Sequence, residues 1–78
     1  MKDSIYLNEL KLNKLAKVVD IDCSGAERRR FLDLGIIKDT VLKPILKSPL
    51  GDPTAYEIRK TVIAIRKESA KKIKVVEI

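Results

Sequence analysis

The amino-acid sequence predicts a mainly β protein, a small antiparallel barrel of about five strands with one short helix after the first strand. Short runs rich in β-branched residues recur along its 78 residues, and clusters of turn-forming residues separate them. Only one segment carries signals for both ends of a helix. Closing so small a sheet into a barrel removes most of its unpaired edges. The chain has no internal repeat, linker or low-complexity tract, so we expect residues 1–78 to form a single domain.

The N-terminal quarter begins with a polar segment and continues into the first strand. Residues 7–10 indicate one helical turn. Residues 16–21 are rich in β-branched side chains and roughly alternate, which predicts a strand with Ala16, Val18 and Ile21 facing inward. This strand therefore contributes one face to the core.

The single helix is predicted to begin after Ser24 and to end at Gly35. Ser24 and Glu27 have the spacing of a capping box, in which each side chain accepts a hydrogen bond from the other residue's amide. Gly35 can take the left-handed conformation that ends a helix, and Ile36 then packs back onto the last turn. The helix is expected to bury Phe31, Leu34 and Leu32 and to leave Arg28–Arg30 in solvent.

The central part of the chain predicts a strand followed by a proline-rich loop. Residues 41–47 form the strand, in which Pro44 cannot donate to a ladder and therefore lies at an edge or at a bend. Residues 48–53 contain two prolines and one glycine, which rules out regular structure. Leu50 lies at the centre of this loop. It either packs back over the end of the barrel, which is the preferred alternative, or is presented outward to a partner.

The remaining residues predict two strands, a helical turn and a closing strand, at residues 55–58, 61–65, 66–73 and 74–78. In the second of these strands, Val62 and Ala64 share one face. In the helical turn, Glu68 is placed to pair with Lys72 four residues later. The end of the chain therefore supplies the last strands of the barrel.

The composition is strongly basic, with 17 Lys and Arg against 11 Asp and Glu and a formal net charge of +6. Such an excess suits nucleic acid, an anionic membrane surface or an acidic protein, and does not choose among them. A solvated face that keeps a small domain soluble is the simplest explanation. The lone Cys23 fits a reducing compartment, and no signal peptide or membrane-spanning run is present, so we expect a cytoplasmic protein.

The residue types argue against catalysis and predict that the protein is not an enzyme. The chain has no His, its one Cys lacks an obvious base, and Asp20 and Asp22 are expected to be exposed acids at a turn. Residues 51–53 form no glycine-rich phosphate cradle, so no nucleotide or other cofactor is expected. Asp20, Asp22 and Cys23 could form at most a weak, opportunistic metal site, and no dedicated metal ligands are predicted.

Several segments together form a recognisable pattern. They are Leu7–Leu10, Ala16–Ile21, Arg28–Ile36, Ser48–Pro53, Val62–Lys67 and Ala70–Ile73. In this order and spacing they resemble the FeoA family of ferrous iron transport proteins, over almost the whole chain. The sequence departs from the family at Lys38-Asp39, where members often have Pro-Gly, and at Lys60, where they often have Gly. Both departures make the local turn geometry less favourable.

The resemblance implies an SH3-like barrel in a small cytosolic protein that acts beside a membrane ferrous iron permease carrying a G-protein domain. In that setting the protein is an accessory or regulatory partner, and weak contact with the anionic membrane surface could assist it. A homo-oligomer formed through an edge near Pro44 is a further alternative. Closely similar domains form part of some iron-dependent repressors, but the initiator methionine and the lack of room for a helix-turn-helix favour the free-standing form.

Two binding hypotheses follow. In the first, the protein is an interaction module whose candidate contacts, chosen for expected exposure and position, are Arg29, Arg30, Leu32, Leu50, Asp52 and Tyr56. In the second, it is a basic barrel that binds nucleic acid. Only Tyr6, Phe31 and Tyr56 are aromatic, and Phe31 is expected in the core, so a base-stacking platform is lacking and no specific nucleic acid is expected.

Overall fold

The computed structural model describes residues 3–78, and the methionine used in the sequence analysis lies outside the described residues. Along the chain come β1 (Ile5–Tyr6), a 3₁₀ helix (Leu7–Glu9), β2 (Ala16–Ile21), α1 (Gly25–Asp33), β3 (Val41–Lys47), β4 (Thr54–Ile58), β5 (Thr61–Ile65), α2 (Lys67–Ala70) and β6 (Ile73–Glu77). The strands form one antiparallel sheet in the order β1-β6-β2-β3-β4-β5. The predicted small antiparallel barrel is thus confirmed.

The sheet has one strand more than the five that the sequence pattern predicts. The additional strand is β1, which comprises only Ile5 and Tyr6 and pairs with Val75 and Lys74 of β6. Two residues are too few to show the alternation by which a strand is recognised in a sequence. The partner strand, which is distant along the chain, therefore decides that this segment is extended.

A single apolar core fills the space enclosed by the sheet and α1. Every strand longer than two residues contributes buried side chains to it, and α1 contributes Phe31. Leu34 is half-buried against this cluster, whereas Leu32 is 53% exposed, so the expectation that Leu32 belongs to the buried face is wrong. A nine-residue helix that packs on one side only has room for a narrow apolar stripe, and Leu32 lies outside it.

The two ends of α1 behave differently from each other. At the C-terminal end Gly35 has a φ of +85°, its amide donates to the Leu32 carbonyl at 3.0 Å, and the Ile36 amide donates to the Phe31 carbonyl at 2.8 Å. These bonds form the predicted Schellman motif, and Ile36 is fully buried.

The predicted capping box at the N-terminal end of α1 is not formed. The Ser24 side chain makes no capping hydrogen bond, and Gly25 has a φ of +68°, which turns the chain away from helical geometry directly after Ser24. The Glu27 carboxylate instead accepts hydrogen bonds from Ser69 and Lys72, more than forty residues away. A tertiary partner has replaced the local one.

β3 lies between β2 and β4 in the strand order, but its ladder with β2 ends before Pro44. The edge alternative therefore holds locally on the β2 side, and an oligomer through an edge near Pro44 stays a prediction. The bend alternative agrees with the register shift between Pro44 and Leu46 in the pairing of β3 with β4. On the other side, the pairing with β2 reaches only Leu42, so the missing amide of Pro44 interrupts no ladder there.

Candidate interaction surface

The loop between β3 and β4, residues 48–53, is held in one conformation by its own hydrogen bonds. The Gly51 amide donates to the Ser48 carbonyl at 2.8 Å, and the Ser48 amide donates to the Pro53 carbonyl at 3.1 Å. The Ser48 hydroxyl donates to the Asp52 carbonyl at 2.8 Å. We call these residues the Leu50 loop. Three hydrogen bonds among the neighbours of Leu50 order the tip of the loop, and Leu50 itself takes part in none of them.

Leu50 projects from the tip of this loop and is 95% exposed. The preferred expectation, that Leu50 packs back over the end of the barrel, is therefore wrong. The pocket beside the loop, of about 180 Å³, is lined mainly by polar side chains, including those of Asn8, Lys47, Thr54 and Lys67. It offers an apolar side chain little to pack against. Leu50 is left as an apolar group fully available to a partner.

Asp52 fixes the Leu50 loop to the rest of the molecule. Its carboxylate oxygen Oδ1 accepts a hydrogen bond from the Lys67 amide at 2.8 Å, at the first residue of α2. This places a negative charge at a helix N-terminus, where it is favourable. Asp52, proposed from sequence as a contact residue, thus has an internal bonding partner that holds the loop.

The opposite end of α2 is bonded to α1. The Ser69 hydroxyl and the Lys72 ammonium donate to the two carboxylate oxygens of Glu27, at 3.3 and 2.6 Å. The sequence suggested that Lys72 pairs with Glu68, but in the structure its ion-pair partner is Glu27. The hydrogen bond from Lys72 lowers the pKa of Glu27, and the Glu27 carboxylate raises the pKa of Lys72.

Because of these bonds, α2 links the two segments in which the candidate contacts lie. Its first amide holds the Leu50 loop, and Ser69 and Lys72 hold α1. Sequence reasoning treated this segment as a helical turn alone and missed its role as a joint. No signal in the sequence marks Glu27 and Lys72 as partners, since their separation along the chain is too large for a local pattern.

The other candidate contacts divide into exposed and buried residues. Arg29 and Arg30 are exposed on α1, as is Leu32. Tyr56 is only 3% exposed and belongs to the core, so its expected exposure is wrong. It alternates with the exposed Glu57 along β4 and faces inward, and burial raises its pKa. Leu46 is 66% exposed just before the loop and was not among the candidates.

The residues suggested as an opportunistic metal site do not assemble into one. Across residues 3–78, no three His, Cys, Asp or Glu side chains lie close enough together to hold a metal ion. Cys23 is half-buried against the core, and burial together with Glu27 raises the pKa of its thiol. That shift favours the protonated thiol over the thiolate that binds metal.

No helix in the described part of the chain has the length and apolar character that a membrane crossing requires.

Comparison with known proteins gives consistent results for sequence and structure. Residues 5–77 match the FeoA domain family. A fusion of Fe(2+) transport protein A with the Fe(2+) transporter FeoB, from Porphyromonas gingivalis, is 32% identical over 69 residues, which is 88% of this chain. The chain spans only 8% of the length of that curated relative.

Solved structures share the fold over nearly the whole chain. A FeoA-like protein from Clostridium acetobutylicum is 36% identical, with a TM-score of 0.86 over 96% of this chain and 87% of that one. FeoA from Stenotrophomonas maltophilia, described as an SH3 domain protein and solved with zinc, is 29% identical, with a TM-score of 0.79 over 91% and 88% of the two chains. The fold is thus the SH3-like barrel, and this chain belongs to the FeoA domain family.

Proposed function

We propose that this protein is a non-catalytic accessory protein of a ferrous iron uptake system and acts by binding the membrane permease of that system, at its cytosolic G-protein domain. The observation that carries the proposal is the Leu50 loop, in which an apolar side chain stands 95% exposed on a loop held by hydrogen bonds. A loop whose backbone is already held in one conformation loses little entropy on binding, so the side chain at its tip can act as an anchor.

The relative from Porphyromonas gingivalis supports the choice of partner. There, a segment similar to this chain is joined in one polypeptide to the transporter FeoB. Covalent fusion keeps two domains at a high effective concentration, which is useful when the two act together. We infer the same association with a permease for this chain.

The surroundings of Leu50 fit an anchor with a charged rim. Lys47 precedes the loop and Lys67 lies beside it, both exposed, and Leu46 adds a second exposed apolar side chain. Interfaces commonly combine a small apolar centre with polar groups around it. We infer that the partner surface offers an apolar socket flanked by carboxylates.

The test is a titration of the full-length protein with the isolated G-domain of the matching permease, followed by amide NMR. Leu50→Asp should weaken the complex by about tenfold or more, because it places a charge in the socket, and should leave the unfolding midpoint unchanged. Ile78→Asp serves as a matched control, since Ile78 is also an exposed apolar residue, at 59%. It should bind like the wild type.

An unchanged affinity for Leu50→Asp would remove the Leu50 loop from the interface. Shifts confined to Arg29, Arg30 and Leu32 would place the contact on α1 instead. If the G-domain produces no shifts at all at moderate salt, it is not the partner.

A further inference from the structure

We propose that the free edge of β5 is a second docking surface, which binds an extended segment of a partner protein with carboxylates on both sides of a short apolar stretch. The segment would add to the sheet as a further strand beside β5. This surface is centred on β5 and shares only its border residues Leu46 and Lys67 with the surroundings of Leu50, and the proposal does not depend on the identity of the permease as partner.

β5 is an edge strand with unused main-chain groups. It pairs with β4 alone and ends the strand order among the described residues. Ile58 and Thr61 flank a two-residue turn, and residues in this position form a hydrogen-bonded pair. Hydrogen-bonded and non-hydrogen-bonded pairs then alternate along the hairpin, so Val62 and Ala64 belong to non-hydrogen-bonded pairs. The N–H and C=O groups of Val62 and Ala64 consequently point away from β4, toward the free edge.

The side chains along this edge give an added strand an apolar neighbourhood. Val62 is 57% exposed and Ala64 is also exposed. Ala64 lies opposite Ala55, which in turn lies opposite the exposed Leu46, so one apolar row crosses three strands of the outer face. The edge carries none of the usual protection within its length, since β5 contains no proline, charge or bulge.

Positively charged side chains lie at the two ends of β5 and determine which kind of strand can bind beside it. Arg59 and Lys60 precede the strand and Arg66 and Lys67 follow it, all four exposed. A second copy of the chain paired antiparallel about Ile63 would set Lys60 against Arg66, and such like-charge pairs are unfavourable. The acids beside these ends already have partners in the protein, since Glu57 lies 3.8 Å from Lys43 and Asp52 accepts from the Lys67 amide. A strand flanked by carboxylates would neutralise both ends.

The test uses a blocked peptide of alternating valine and threonine with two glutamates at each end, titrated into the full-length protein and followed by amide NMR. The amides of Val62 and Ala64 should shift, and their hydrogen exchange should slow by about tenfold or more as they become bonded. The same peptide with lysines in place of the glutamates should not bind. Leu50→Asp should bind the peptide like the wild type, which separates this surface from the Leu50 loop.

Two protein variants test the geometry. Ala64→Pro removes an amide that points outward and takes no part in the bonds to β4, so it should abolish peptide binding, whereas Ala64→Ser keeps the amide and should retain it. If Ala64→Pro does not fold, the double variant Lys60→Glu and Arg66→Glu should reverse the preference toward the lysine peptide. Absence of binding by the glutamate peptide would overturn the proposal. So would equal binding of both peptides, or concentration-dependent shifts of β5 without peptide, which would mark a second copy as the occupant.

Discussion

Lys60 occupies the second position of the turn between β4 and β5 with a φ of +69°, and Arg59 before it has a φ of +50°. Asp39, between α1 and β3, has a φ of +75°. All three are left-handed conformations that favour glycine. Lys60 and Asp39 are the positions at which the sequence departs from the family pattern, so the unfavourable geometry expected there is present.

Lys60→Gly should stabilise the protein, because it relieves the left-handed strain while adding some freedom to the unfolded chain. We expect a net gain of roughly 0.5–1 kcal/mol in the free energy of unfolding, measured by denaturant titration. Arg66→Gly is the matched control, since Arg66 is an exposed cation at the other end of the same strand with a φ of −70°. It should destabilise, and a gain of equal size there would show that strain is not the cause.

Glu27 provides a second test at this scale, because its charge holds two distant segments together. The hydrogen bond from Lys72 lowers the Glu27 pKa below its ordinary value of 4.5. Stability from this group is therefore fully present above pH 4.5 and is lost as the pH falls through the lowered native pKa.

Glu27→Gln should lower the unfolding midpoint at pH 7 by roughly 2–5 °C. The difference from the wild type should shrink as the pH is lowered from 7 toward 3, because protonation of Glu27 below its lowered native pKa leaves both side chains neutral. Glu68→Gln, which removes the acid that the sequence had paired with Lys72, should have little effect over this pH range. A midpoint difference for Glu27→Gln that does not shrink between pH 7 and pH 3 would exclude the ion pair as its source.

At the scale of elements, α1 is secured by its C-terminal end more than by its N-terminal end. The Schellman motif closes the last turn and places Ile36 in the core, whereas the Ser24 side chain contributes no cap. Thr40 reinforces the exit from the helix, since its hydroxyl donates to the Gly35 carbonyl and accepts from the Ile37 amide. The segment from Gly35 to Thr40 is thereby fixed before β3 begins.

Ile36→Ala should cost about 2–5 kcal/mol in the free energy of unfolding, because it leaves a cavity at a fully buried position. Ile37→Ala, one residue later and 39% exposed, should cost less than about 1 kcal/mol. Denaturant titrations of the two variants measure the contrast. Similar losses for both would mean that the segment relaxes as a unit rather than anchoring through Ile36.

At the scale of the whole molecule, the net charge of +6 is spread over a surface that lacks exposed aromatic rings. Phe31 and Tyr56 are buried, and Tyr6 is half-buried with the Lys74 ammonium 5.7 Å from its ring centre. Bases therefore find no stacking platform. This arrangement favours a protein partner over a specific nucleic acid.

Binding to a random DNA duplex should consequently be weak and purely electrostatic. Raising the salt from about 50 to 200 mM should reduce it roughly 100-fold if about four phosphates are contacted. The complex with the permease G-domain should lose less than about tenfold over the same range, because Leu50 contributes an apolar term. Fluorescence anisotropy measures both, and DNA binding that resists salt or prefers one sequence would revive the nucleic-acid hypothesis.

Much of the fold could be predicted from the sequence, because side-chain alternation and turn formation depend on residues that are close together in the chain. The bounds of β2, β3 and β5, and the closure of α1 at Gly35, agree with the structure because alternation and turn chemistry act within a few residues. The burial of Tyr56 also follows from a local pattern, its alternation with Glu57, which the choice of contact residues overlooked. β1 and the Glu27 partners depend on residues far along the chain, so no local pattern shows them.

The candidate site was predictable in part for the same reason. Two prolines and a glycine identify the Leu50 loop, but the direction of Leu50 depends on what surrounds it. The Lys67 amide that donates to the Asp52 carboxylate lies fifteen residues away and fixes the loop only once β4 and β5 have formed.

The sequence by itself therefore determined the fold class, the positions of most elements, the family resemblance and the location of the loop, since each follows from short-range spacing. Only the tertiary structure decided which way Leu50 faces, that α2 joins the loop to α1, and that β5 is left as a free edge. Those features depend on which groups are satisfied by distant partners, because a buried side chain, an ion pair and a strand edge are defined by their surroundings.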